Sequence, residues 1–212
     1  MNCGRSSILA CLALSFAATV PPLFAQATGW RPLFNGKDLT GFTTTGTAVW
    51  RVEDGVIVGG QDGDFSKRGN LVTVDAFKDF ELELDFMIDE HGKYNSGVHI
   101  RGGGGYQFNI GRPPSDEFIG VGVQRGEPRA FVWLSKGDEK DTVRKPLQWN
   151  TLRVLAKGAH FEMTLNGVKT VDVTDPAPEA RWLEKGTLSF QTYGAENHAG
   201  FVKFRNIRIR EL

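Results

Sequence analysis

Cysteine is nearly missing from this chain, with two in 212 residues, Cys3 and Cys11. Both lie within the first 27 residues. The rest of the chain therefore forms no disulfide, holds no thiolate-bound metal and offers no cysteine nucleophile. An excess of charge of either sign is missing too: 25 Lys plus Arg balance 25 Asp plus Glu. With no long basic run there is no electrostatic footprint for nucleic acid, and no nucleic-acid partner is expected. An uncharged ligand such as a sugar is compatible with this balance. Segments of helical period are lacking as well, as are internal repeats and any linker to a second domain.

What is present begins at the N-terminus. Arg5 supplies a positive start, and an apolar run from Ile8 through Val20 follows it. Pro21 and Pro22 end the run, and Ala25-Gln26-Ala27 has a small-x-small cleavage pattern. That order is the order of a secretory signal peptide over residues 1–27. The run is shorter than the roughly 20 residues a membrane span needs. Cleavage after Ala27 predicts a periplasmic or secreted protein with no span left in the mature chain. About 185 residues remain, one domain over 28–212, which buries roughly 70% of its unfolded surface and needs no covalent staple.

Beyond Thr28 the pattern is of short strands broken by turn residues. Phe80 to Ile88 alternates strictly: Phe80, Leu82, Leu84, Phe86 and Ile88 share one face, and Glu81, Glu83, Asp85 and Met87 the other. Period two over nine residues predicts a strand with one face in a core. Asn166-Gly167 between Phe161–Leu165 and Val168–Val173 predicts a two-residue hairpin, since both positions tolerate positive φ. Glu53-Asp54-Gly55 predicts a three-residue turn. In the last strand Val202 and Phe204 have one parity and Ile207 and Ile209 the other. A bulge near Arg205-Asn206 would return all four to the core. A short helical turn is expected near Asp75 to Phe77. The glycine run 102–105 lacks the lysine and following helix of a phosphate loop and is expected to be a flexible connection.

Seven fragments in order carry a resemblance over nearly all of the chain after residue 28. They are PLFNGKDLTGF (32–42), WRVEDGVIVG (50–59), GNLVTVDAFKDFELELDFMI (69–88), NSGVHIRG (95–102), WNTLRVLAKG (149–158), LNGVKTVDV (165–173) and FRNIRIREL (204–212). Together they resemble the 3-keto-disaccharide hydrolase domain family. The resemblance implies an all-β, concanavalin A-like jelly-roll sandwich of two antiparallel sheets, export, and a role on oxidised sugars. Around Gln107, where the family carries acidic residues, this chain has glycine before and Asn109-Ile110 after.

A 3-keto sugar has an acidified proton on carbon 2. Its removal and loss of the anomeric substituent need a base, a stabiliser for the enolate oxygen and an acid for the leaving group. If Val98 and Ile100 face the core, His99 and Arg101 face outward together, an exchangeable proton beside a fixed cation. Asp85 is the pick of the three outward carboxylates of Phe80–Ile88. His99, Arg101 and Asp85 are thus the candidate catalytic set. Asn95, Gln107, Asn109, Gln191, the loop residue His198 and the stacking ring of Trp133 are candidate sugar contacts. Trp50, Trp149 and Trp182 are expected to be anchors. Metal ligands are unassigned: no EF-hand-like aspartate spacing occurs, although a divalent ion such as calcium is common in sandwiches of this kind. Two functions stay open, a hydrolase or lyase on 3-keto-glycosides and a non-catalytic, lectin-like module.

Overall fold

The computed structural model describes residues 29–90, 94–111, 116–194 and 200–212. Fifteen strands follow one another: β1 (Arg31–Pro32), β2 (Phe42–Gly46), β3 (Val49–Glu53), β4 (Val56–Gly60), β5 (Gly69–Phe77), β6 (Phe80–Ile88), β7 (Asn95–His99) and β8 (Tyr106–Ile110). They continue with β9 (Ile119–Arg125), β10 (Ala130–Lys136), β11 (Asn150–Lys157), β12 (His160–Leu165), β13 (Val168–Thr174), β14 (Gly186–Gly194) and β15 (Phe201–Glu211). Among the described residues one 3-10 turn spans Ala180–Leu183.

The strands form two antiparallel sheets. The first has the order β13-β12-β11-β6-β15-β4-β3, with β1 added to β15. The second has the order β10-β9-β8-β7-β14-β5-β2. Their inner faces share one core, in which Phe190 of the second sheet meets Phe204 of the first at 5.3 Å, and Phe108 meets Phe161 at 6.0 Å. Strand β6 lies at the centre of the first sheet, and its five apolar side chains are at most 2% exposed.

The turn chemistry acts as the sequence suggests. Asn166 and Gly167 adopt φ of 49° and 85°, and Leu165 pairs with Val168 across a two-residue turn. The β15 register slips between Arg205 and Arg208, with Asn206 at φ 54°, so Val202, Phe204, Ile207 and Ile209 are all buried. Three local expectations are corrected. Glu53 pairs with Val56, so the first hairpin turns on two residues, Asp54-Gly55, rather than three. Asp75 to Phe77 is extended and belongs to β5, because pairing with β14 and burial of Phe77 outweigh local propensity. The 102–105 run is a packed turn: a Cβ on Gly104 or Gly105 would sit 2.7 or 2.4 Å from the ring of Trp182. Trp182 is thus an anchor, as is Trp50, against which Gly59 packs.

The outer face of the first sheet is a grid of ion pairs. Glu81 holds Arg153 at 2.7 Å and also pairs with Arg210, while Glu83 pairs with Arg208 at 2.5 Å. Trp30 lies among Arg153, Arg208 and Arg210, each 5.1–5.5 Å from its ring. Such part-exposed pairs contribute about 0–1 kcal/mol each, whereas the buried aromatic rings contribute far more. Phe86→Ala should therefore cost about 3–5 kcal/mol, and Glu83→Gln less than about 1 kcal/mol. Denaturant unfolding of the two variants checks this; equal losses would mean that the grid, rather than the core, holds the sheet.

Candidate functional site

The outer face of the second sheet is built differently. His99 lies beside Ser189 on one side and Gln107 on the other; one row along, Gln191 pairs with Asn70 and Gly97, and Gly97 with Asn109. These side chains alternate with the buried Val98, Phe108 and Phe190, so all of them face outward.

A carboxylate orders the row. Glu117 accepts from Asn95 Nδ2 at 3.0 Å and from Asn109 Nδ2 at 3.3 Å; Asn109 Nδ2 also donates to the Phe118 carbonyl at 2.8 Å. A carboxylate only accepts, so both amides must turn their NH2 groups towards it. Asn109 Oδ1 then faces Gln107, whose Nε2 donates to it at 3.0 Å and to Gln191 Oε1 at 3.1 Å. The orientation of every amide in the chain follows from that one charge. Gln191 Nε2 is left as a free donor at one end, and Asn95 Oδ1 as a free acceptor at the other.

Glycine makes the reach possible. A Cβ on Gly97 would fall 2.5 Å from Gln107 Nε2, across the path this amide takes to Gln191. On the next strand, β9, Gly120 and Gly122 carry no side chain, and the Phe131 ring lies where a Gly122 Cβ would project, 2.1 Å from it. Phe131 meets Trp133 edge-on at 5.0 Å, and Phe118 meets Trp133 at 5.8 Å. An aromatic wall thus stands beside the amide row. From Asn70 on β5 to Gly122 on β9 is four strand spacings, about 19 Å.

The row is also where hydrogen-bonding capacity is left over. Six buried side-chain polar atoms lack a partner among the described residues, and three belong here: Asn70 Oδ1, Asn95 Oδ1 and His99 Nδ1. Native proteins leave few such atoms unmade, because each costs about 1–3 kcal/mol. Three of the six thus fall in one row on one outer face. His99 is neutral, since burial lowers its pKa to about 4.

The candidate residues divide. Asn95, His99, Gln107, Asn109 and Gln191 come together, with Trp133 at the edge. Arg101 does not join them. Its backbone turns left-handed at φ 55°, ending the alternation after Ile100, and the side chain is buried at the end of the sandwich. There it donates to the carbonyls of Lys78, Gly158 and Trp182 and pairs with Asp79 at 3.0 Å. Asp85 is on the other sheet, bonded to Thr151, Arg205 and Asn206, with Trp149 stacked on Arg205 at 4.0 Å. The expected His99-Arg101-Asp85 set is therefore not assembled. His198 lies outside the described residues. Glu117, Asn70, Arg68 and Tyr193 were missed; the sole sequence signal for Glu117 was an acidic residue in a Gly/Pro-rich loop beside the Gln107 strand.

For metal, the described residues bring three suitable side chains together once, His160, Glu162 and Asp172, with ligand atoms within 4.8 Å of one another. Lys169 Nζ already sits 3.0 Å from both carboxylates. This group is on the first sheet, away from the amide row, and does not fit a metal serving it.

Architecture and site together define a galectin-like, two-sheet sandwich with a polar amide row across one outer face. Residues 29–210 match the family model of the 3-keto-alpha-glucoside-1,2-lyase-like domain, and the chain belongs to that family. Among solved structures it is similar to two candidate glycosyl hydrolases from Parabacteroides distasonis. One is 24% identical (TM-score 0.62, 91% of this chain and 98% of that one). The other is 25% identical (TM-score 0.60, 86% and 99%). It also shares its fold with the carbohydrate binding module CBM66 of Bacillus subtilis, at 18% identity (TM-score 0.61, 84% and 99%). No curated protein matches it.

The buried neutral His99 makes a pH prediction. Its folded pKa lies below the unfolded value of about 6.5, so between pH 6.5 and 4 the unfolded chain binds the extra proton. Stability contributed by this site is present above pH 6.5 and falls as the pH drops towards 4, by about 2–3 kcal/mol at pH 4.5. His99→Gln should lose less stability than the parent between pH 7 and 4.5 in denaturant titrations; parallel losses would place the titration elsewhere.

Proposed function

We propose that the amide row binds carbohydrate and that the protein cleaves 3-keto-glycosides, with His99 as the base. The observation that carries this reading is the set of unpartnered polar atoms on one outer face, with a neutral His99 among them. Family membership supports the substrate class. The amides offer donors and acceptors suited to sugar hydroxyls, and Trp133 and Phe131 offer rings for a sugar face.

In the proposed reaction His99 removes the proton on carbon 2 of the sugar. The released electron pair forms the enolate with the carbon 3 ketone. Collapse of the enolate restores the ketone, forms the carbon 1–carbon 2 double bond and expels the anomeric oxygen with its substituent. The leaving oxygen takes a proton from the imidazolium. Water adding across the new double bond completes a net hydrolysis. Because its pKa is about 4, His99 stays in the base form at every pH above about 5.

A second reading, a non-catalytic carbohydrate-binding module, is favoured by the burial of Arg101, which takes the expected cation away from His99. The likeness to the Bacillus subtilis module supports it at the level of fold. Under either reading, export through cleavage of residues 1–27 is proposed from the N-terminal pattern, and the family match starting at residue 29 supports it.

Purified protein incubated with a 3-keto-disaccharide should release free sugar, more slowly when carbon 2 carries deuterium. His99→Gln should lower kcat by about 10²-fold or more with a smaller change in KM. No release from several 3-keto substrates, with glycan binding intact, would establish the binding module instead.

A further inference from the structure

At the Gln191 end the amide row runs into a cleft of about 280 Å³ lined by Gly46, Arg68, Gly69, Asn70, Gln191 and Tyr193. Nothing so far assigns it a ligand. Arg68 stands at its mouth without a carboxylate partner among the described residues. Many of the other arginines are paired: Arg125 with Asp175, Arg144 with Glu90 and Asp141, and those of β15 with the carboxylates of β6; Arg129 instead lies over the Trp182 ring.

Arg68 is nonetheless held in place. Its guanidinium lies 4.4 Å from the centre of the Tyr193 ring and donates to the Tyr193 hydroxyl at 2.5 Å. Its carbonyl accepts from Thr47 and Ala48 at 2.8 and 3.2 Å. Glycine keeps the approach open. A Cβ on Gly46 would come 2.3 Å from the Arg68 carbonyl oxygen, and one on Gly69 2.2 Å from that of Thr45.

The polarity of the amide chain decides what the cleft can take. With Gln191 Oε1 engaged by Gln107, the group Gln191 has left to offer the cleft is Nε2, a donor. Asn70 turns its Nδ2 to Thr45 Oγ1 at 3.5 Å and adds no donor to the cleft. A guanidinium and one amide donor therefore lie at one end, while the acceptors Asn95 Oδ1 and Glu117 lie at the other.

We propose that this end is an anion subsite, and that the preferred ligand is a glycan bearing a carboxylate, such as a uronic acid, seated on Arg68. The proposal rests on the reading of the amide row as a sugar site and adds the charge and direction of the ligand. Arg68 supplies a planar fork that matches a carboxylate, and Gln191 Nε2 donates beside it.

The test compares maltose and cellobiose with their C6-oxidised, uronic counterparts, by calorimetry or ligand-observed NMR at pH 7 and low salt. An acidic disaccharide should bind about tenfold tighter than its neutral parent, the size of one charge-assisted hydrogen bond. The preference should shrink in 0.5 M salt, vanish in Arg68→Gln and return in part in Arg68→Lys. Equal affinity for acidic and neutral forms, or a preference that survives Arg68→Gln, overturns the anion subsite and leaves the sugar site standing. Binding of neither form overturns both. Should Arg68→Gln fail to fold, the salt dependence of the parent protein decides.

Discussion

A strand in a two-layer sandwich buries every second side chain, and the alternate ones must face outward. Here that constraint applies to two sheets around one core, joined by contacts such as Phe190 with Phe204 and Tyr106 with Phe161. Each sheet is left with an outer face it cannot bury, and the two faces have opposite fates. On the first sheet arginines and carboxylates pair across β6, β11 and β15 and satisfy one another. On the second, amides and an imidazole keep unmade hydrogen bonds. The proposed site lies on the face whose polar groups the described residues do not complete.

That face owes its order to a single charge. Glu117 orients Asn95 and Asn109, Asn109 orients Gln107, and Gln107 orients Gln191. A row of neutral amides without such an anchor could be turned either way. Gly97, Gly120 and Gly122 are the complement of this anchor: their missing side chains let Gln107 cross to Gln191 and let Phe131 and Trp133 lean over the sheet. The row is thus made as much by what is absent from the strands as by what is present.

The strand pattern of β6, the Asn166-Gly167 turn and the β15 bulge were legible in the sequence because each is a local signal. So were Gln107, Asn109 and Gln191 as outward amides. Asp85 was misplaced because alternation says which residues share a face, but not which sheet that face belongs to. Its partner Arg205 is 120 residues away. Arg101 was misplaced for a different reason. One left-handed residue ends the β7 alternation, and the buried guanidinium is held by three carbonyls from separate loops. The acidic group missing around Gln107 in sequence is supplied by Glu117, eight residues beyond Asn109.

By itself the sequence determined the class of fold, the family, and the inward and outward residues of its clearest strands. All of these follow from period-two alternation and turn chemistry, which act over a few residues. Only the tertiary structure decided which outward residues meet, because that depends on sheet order and register between distant strands. It set His99 beside Gln107, moved Arg101 and Asp85 elsewhere, and brought Arg68 and Tyr193 to the end of the row. Long-range pairing is selected by burial of the common core, and the site is what that selection leaves on the outside.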